Sequence, residues 1–161
     1  MNQSAVLTAP RLGTIWEEQG GIYVGIMPGI KGGPQYHLIA SEDEAESLQF
    51  GGYGTRIEGA SSTVDGLANT AALLESGIDH PAAAWASKYE KNGVSGFYLP
   101  AQRELNLAYV TAAELFGDDW YWSSTQYSAI IAWLQGFGGG RQDFSHKGYY
   151  GRVRAFRRLF I

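Results

Sequence analysis

The sequence predicts an α+β fold, and three observations predict it: helical patterns gather between residues 65 and 116, strand patterns flank them on both sides, and glycine and aromatic residues are abundant. The 161 residues include 22 Gly, 5 Trp, 10 Tyr and 7 Phe, which points to short strands, many turns and large rigid side chains. Helices and strands kept apart along the chain favour an antiparallel or mixed sheet over alternating parallel units. A single domain spanning 1–161 buries roughly 68–70% of the surface its unfolded chain exposes, enough for stability without cross-links.

The elements follow in chain order. Gly21–Met27 reads as a strand closed by Pro28-Gly29, and Tyr36–Ala40 as its hairpin partner. The acidic run Glu42, Asp43, Glu44 and Glu46 reads as a solvated face, because calcium-loop spacing with an intervening glycine is missing. The glycine-rich stretch 51–59 reads as loop. Asp65 is placed to N-cap a helix over 66–75, with Leu67, Ala71 and Leu74 on one face and Gly77 past the end. Pro81 opens a second helix that runs through Lys91 and stops at Asn92-Gly93, with Trp85 and Tyr89 paired as core. Gly96–Leu99 reads as a short strand, Pro100 opens a helix over 101–110, and Thr111 with Glu114 forms a capping-box pattern for a turn over 111–116. Strand signals then cover 121–124, 130–137 and 152–160. The first and last strands, both well marked, are expected to pair and bring the termini together.

Charge and composition exclude several function classes. There is no cysteine, so disulfide scaffolds, zinc–thiolate sites and cysteine nucleophiles are ruled out. No apolar run reaches the roughly 18 residues needed to cross a bilayer, and MNQSAVLTAP lacks the charged-then-apolar layout of a secretory signal, so a soluble chain without membrane insertion is expected. Residues 1–140 carry 6 basic and 15 acidic side chains, whereas residues 141–161 carry 6 basic and 1 acidic. Arg152, Arg154, Arg157 and Arg158 interleave with Val153, Ala155, Phe156 and Leu159, as in a terminal strand set against an acidic body. The acidic remainder repels phosphate, so nucleic acid is not an expected partner.

Catalytic constellations are scarce. His37, His80 and His146 have no partner at triad or metal spacing. Asp118-Asp119 reads as a turn, since a glycosidase needs two carboxyls held across a sugar and neighbouring residues diverge. Gly138–Gly140 lacks the Lys-Ser/Thr pair and the helix of a phosphate loop and reads as a hairpin tip. What remains is the aromatic and glycine-rich stretch 127–151, whose tyrosines among small residues have the chemistry of an antibody loop, large contact area at low entropic cost. Within it, Ile131, Trp133 and Phe137 read as the core face of a strand, with Ile130 and Leu134 on the other face.

Several of these residues together resemble a known family. Phe97–Leu105 (FYLPAQREL), Trp120–Tyr127 (WYWSSTQY), Ala132-Trp133, Gln135, Phe137, Lys147 and Arg152–Arg158 (RVRAFRR) resemble the C-type-lectin-fold domains of phage tail-fibre-associated proteins and the C-terminal domain family of collagen-like proteins. Gln19–Ile26 and Asp65–Thr70 are similar to the phage-type members, so most of the chain is included. The resemblance implies a C-type lectin-like fold, small twisted antiparallel sheets flanked by helices, with a ligand-binding region at about 127–151. It also implies a protein or glycan receptor on a target cell surface as partner, display on a phage tail or a cell surface, no catalysis and no cofactor. A subset of the family is the variable proteins of diversity-generating retroelements, in which asparagine codons are randomised at their first two bases and never become Trp, Met, Gln, Lys or Glu. By that pattern the variable, ligand-binding positions are Ile130, Ile131, Leu134, Gly136, Gly138, Gly139, Arg141, Asp143, Phe144, Ser145, His146, Gly148, Tyr149, Tyr150 and Gly151, and none is of a forbidden type. Trp133, Gln135, Gln142 and Lys147 are then fixed scaffold, and the five glycines of the set are expected to tolerate replacement. The chain departs from the formylglycine-generating branch of the fold in having no cysteine, and from the calcium-dependent animal lectins in lacking Glu-Pro-Asn and Trp-Asn-Asp, so neither a metal nor a sugar is carried over. Two alternatives stand beside this reading: a carbohydrate-active enzyme using Asp118, Asp119 or His146, and a structural trimerising cap of a fibre.

Overall fold

Residues 8–161 are described by a computed structural model; the first seven residues, most of the stretch read for a secretory signal, lie outside the described part. The strands are β1 (Ile15–Trp16), β2 (Gly21–Met27), β3 (Tyr36–Gln49), β4 (Trp120–Gln126), β5 (Ile131–Gly136), β6 (Gln142–His146) and β7 (Tyr150–Phe160). The helices are α1 (Gly66–Glu75), α2 (Pro81–Lys88) and α3 (Gln102–Ala112). The strands form one seven-stranded sheet in the order β1-β2-β3-β7-β4-β5-β6. All neighbours are antiparallel except β4 and β7, which meet in parallel at Tyr121 and Arg152. The protein is thus α+β, with a mostly antiparallel sheet and three helices. Among the described residues no helix is long and apolar enough to cross a membrane.

The long pairing of β3 with β7 organises the molecule and corrects two expectations. The partner of β7 is β3, from Tyr36 opposite Phe160 to Gln49 opposite Tyr150, while β2 lies outside β3. The acidic run lies within β3: Asp43 and Glu46 are exposed, as a solvated face requires, whereas Glu44 turns inward. Glu44 is half-buried and accepts from Arg152 (2.7 Å), Arg154 (2.9 Å) and the Tyr121 hydroxyl (2.6 Å). These partners hold its carboxyl below the ordinary range, although desolvation, the largest single influence, pushes the other way. The basic end of the chain is therefore matched inside the fold, as the charge gradient predicts. Arg154 also lays its guanidinium 4.2 Å over the Phe116 ring.

Side chains alternate along β7 because both faces of the sheet are covered. Val153 and Ala155 join Phe50, Leu73, Ala86, Leu99, Trp122 and Leu134 in one core, and Phe156 joins Val24, Leu38, Leu105, Phe116, Tyr121 and Phe137 in a second. Between them lies one fully buried carboxylate, Glu104. It accepts the backbone N–H of Gly66 and of Ala101, each at 3.0 Å, and so caps the starts of α1 and α3 together. Its other oxygen accepts the hydroxyls of Tyr36 (3.1 Å) and Tyr98 (2.5 Å), with the Arg158 guanidinium at 3.8 Å. Burial raises its pKa above the usual carboxylate value. Tyr98 and Glu104 of the FYLPAQREL motif thus hold the two helix starts and β7 together.

The helices correct three further expectations. α1 buries Gly66, Asn69, Thr70 and Leu73 and leaves Leu67, Ala71 and Leu74 exposed. The polar residues turn inward because they are fully partnered there: Asn69 bonds Ser62 and Ser124, and Thr70 bonds both backbone groups of Leu99. α2 stops at Lys88 because Tyr89 is extended (φ −60°, ψ 136°), packs on Phe97 and donates its hydroxyl to Asp43 at 2.7 Å. Thr111 lies inside α3 and donates to the Val24 carbonyl at 2.6 Å, so it caps no following turn.

Candidate functional site

The outer edge of the sheet is the β5–β6 hairpin, and its register decides which side chains meet. Ile131 faces His146, Trp133 faces Phe144, and Leu134 faces Asp143. Cross-strand partners share a face, so Ile131, Trp133, Phe144 and His146 lie on one side, and Leu134, Asp143 and Ser145 on the other. β4 extends the second side by setting Trp120 opposite Gly136 and Trp122 opposite Leu134. Here the core assignment is corrected. Leu134 is the buried residue, held with Trp122, whereas Trp133 joins Tyr127 and Phe144 in an aromatic cluster that reaches solvent. The Tyr127 and Phe144 rings stack at 5.4 Å, with Trp133 edge-on to both. Phe137 is core, as expected, stacked on Phe116 at 4.0 Å.

Two hollows open on the second side, and Trp120 lines both. The smaller, of about 180 Å³, is lined by Trp120, Leu134, Asp143, Phe144, Ser145 and Tyr149. The larger, of about 500 Å³, is lined by Asp118, Asp119, Trp120, Gly136, Gly138, Gly139 and Arg141. Of the fifteen positions that the family pattern marks as variable, five line the first and four the second. Ile130, His146 and Tyr150 are exposed, Ile131 and Gly148 half-buried, and Gly151 buried. His146 stands between the rings of Tyr53 and Tyr149, each edge-on at 6.4 Å.

The five glycines of the set are not equivalent, contrary to the expectation of uniform tolerance. A Cβ at Gly151 would lie 3.1 Å from the Trp122 indole, and one at Gly136 would lie 3.3 Å from Trp120 and from the Arg141 carbonyl. Both are close approaches of backbone to a rigid ring. At Gly139 nothing lies within 4 Å, at Gly148 the first contact is an ordinary 3.4 Å, and at Gly138 only the exposed Asp118 carboxylate stands in the way.

Charges around the larger hollow are nearly all matched. Arg152 Nε donates to Asp119 at 3.0 Å while its terminal nitrogen reaches Glu44, and Asp119 also accepts the Trp120 N–H at 2.8 Å. Arg141 is paired with Asp143. Asp143 in turn accepts the backbone N–H of Phe144 at 2.8 Å, and its carboxyl is held below the ordinary range first by Arg141. Asp118 alone among the carboxylates of this hollow makes no hydrogen bond or ion pair among the described residues. Asp118 and Asp119, which read as a turn in the sequence, thus line one hollow in different bonding states.

The back of the hairpin is fixed by Lys147, fully buried at 0% exposure. Its ammonium donates to the Thr55 carbonyl (2.8 Å) and Gln126 Oε1 (3.0 Å), its N–H to the Ile130 carbonyl, and its carbonyl accepts from Gly51. Gln126 bonds both backbone groups of Ile57. The glycine-rich 51–59 stretch is therefore clamped against the hairpin. Desolvation pushes the Lys147 pKa down to about 8, with Arg56 adding to the effect.

The three histidines do not converge: His37 bonds the Tyr23 hydroxyl, His80 is buried against the Phe50 carbonyl, and His146 sits on the exposed edge. Burial lowers the pKa of both His37 and His80. Among the described residues no group of three or more His, Asp or Glu is arranged to hold a metal ion. Sequence reading missed Trp120 as the wall between the hollows; the signal available was its spacing of two from Trp122, which on a strand puts both rings on one face. The fold and site together define an α+β protein whose outer hairpin presents an aromatic, glycine-rich surface. No protein-family model and no curated protein matches the chain.

Proposed function

We propose that the chain is a ligand-recognition module of C-type lectin-like fold, related to the diversified adhesins of phage tails and cell surfaces, whose hairpin surface selects a receptor on a target cell without catalysis. One observation carries this reading: positions chosen from a family pattern alone line two adjoining hollows about Trp120. Such convergence is what a recognition surface needs, aromatic anchors with small polar neighbours on a rigid support. The hairpin's other side bears the Phe144 ring at 45% exposure, and the adjoining start of β7 bears Tyr150 at 62%, more apolar ring than a solvated turn requires.

The test is a combined variant, Phe144→Ser, Ser145→Tyr and Tyr149→Ser, which leaves the buried Leu134, Gly136 and Gly151 untouched. The expected result is an altered set of cells bound in a surface-binding panel, with a melting temperature close to that of the parent. An unchanged binding profile overturns the reading, as does release of reducing sugar from envelope polysaccharide that Asp118→Asn abolishes.

A further inference from the structure

We propose that the larger hollow is a seat for an arginine side chain presented by a protein receptor, with the Trp120 indole as its stacking wall and Asp118 as its counter-charge. This deepens, and rests on, the reading of the hairpin as a recognition surface. Charge accounting selects a cation. Asp119 is neutralised by Arg152, and Arg141 by Asp143, so the unmatched charge at the hollow is the Asp118 carboxylate. An indole is the best aromatic partner for a cation, and a carboxylate beside it holds the cation by charge. The absence of side chains at Gly138 and Gly139 leaves the hollow open to a long side chain. Gly138 matters further, since its missing Cβ would lie 1.8 Å from Asp118 Oδ1: glycine there is what lets the carboxylate occupy its place.

Guanidinium fits this site better than ammonium. It is planar, so it stacks on the indole, and it offers two parallel N–H donors to one carboxylate. It is also weakly hydrated, so entering a partly walled hollow strips little from it.

The probe is an acetylated, amidated Gly-Arg-Gly peptide, followed through the indole N–H resonance of Trp120 and compared with the citrulline peptide, a neutral near-isostere. The expected result is a saturable shift with arginine and none with citrulline. Trp120→Leu weakens binding about tenfold, and Asp118→Asn about three- to fivefold, with peptide contacts then read from neighbouring amides. Gly138→Ala, which displaces the carboxylate without touching the core, weakens binding as Asp118→Asn does at an unchanged melting temperature. Equal shifts with citrulline, a lysine peptide bound as tightly as arginine, or undiminished binding to Asp118→Asn each overturn the proposal. Should the arginine peptide fail while the Phe144, Ser145 and Tyr149 variant still changes the cells bound, this inference falls alone; should that variant change nothing, the recognition reading falls, whatever the peptide does.

Discussion

The centre of the sheet and its outer hairpin are made from the same residue types and use them in opposite ways. In β3 and β7, Arg152, Arg154 and Arg158 are matched by Glu44, Asp119, Asp65 and Glu104 or stacked on Phe116, Tyr36 and Tyr98. At the outer hairpin, Tyr127 before β5, Phe144 in β6 and Tyr150 at the very start of β7 face solvent, and the Arg141–Asp143 pair is exposed. Burial decides which role a residue takes. A matched charge in a dry interior locks the fold, because removing one partner strands the other. The same pair in water contributes little to stability and is free to meet a partner.

The sharpest way to break this contrast is at Glu104. Glu104→Ala removes the acceptor for two helix starts and two buried hydroxyls and strands Arg158, so a loss of about 3–5 kcal/mol is expected, read as a fall of about 10 °C or more in melting temperature. A melting temperature near that of the parent would show that the centre is not locked in this way.

Next in size are the glycines, where the contrast runs through the hairpin itself. Gly151→Val drives a branched side chain into the Trp122 indole and is expected to cost about 1–3 kcal/mol. Gly139→Ala, in open space, should stay within about 0.5 kcal/mol. Urea titration of both variants separates the buried and presented halves of the site, and equal losses would erase that boundary.

Lys147 joins the two regions, and its effect is read in pH. Because its folded pKa is depressed to about 8 from the ordinary 10.5, the unfolded chain holds more protons between those values, and stability rises with pH there. Above about pH 10 the trend reverses: burial raises the pKa of Tyr36 and Tyr98, so the unfolded chain then holds fewer protons than the folded one. Urea midpoints at pH about 8 and about 9.5 should show the rise in the parent and a flat response in Lys147→Met. The smallest effect is expected at Arg141→Ala, whose melting temperature should match the parent within error, since the pair it breaks is exposed.

Legibility in the sequence follows the range of the cause. Pro81 at the start of α2 and Gly77 beyond α1 with φ of +75° are local signals, and each lies where it was read. The Asn92-Gly93 turn, with φ of +52° and +79°, is present as well, but it closes a Lys91–Val94 bridge rather than α2, which ends at Lys88. The continuation of β3 through its acidic run was not legible, because it depends on arginines more than a hundred residues away. Nor was the inward face of α1, since Asn69 and Thr70 pass for surface residues until Ser62, Ser124 and Leu99 supply their partners. The candidate site is legible as a stretch of chain but not as a shape. The aromatic and glycine excess marked 127–151, while the hollows also need Asp118, Asp119 and Trp120 from outside it.

The Asp143 bond to the Phe144 N–H bears on solubility. β6 ends the sheet, and the bonds of Gly136 to Arg141 and of Lys147 to Ile130 place residues 141, 143, 145 and 147 toward β5, which turns the backbone of Phe144 outward. A bare edge of this kind templates the addition of another strand and leads to aggregation. Here the neighbouring carboxylate covers the outward donor and places a charge beside it, so the hairpin presents its rings while refusing a foreign strand. A library randomised at this surface should therefore lose monodispersity first among members that replace Asp143 with an apolar residue.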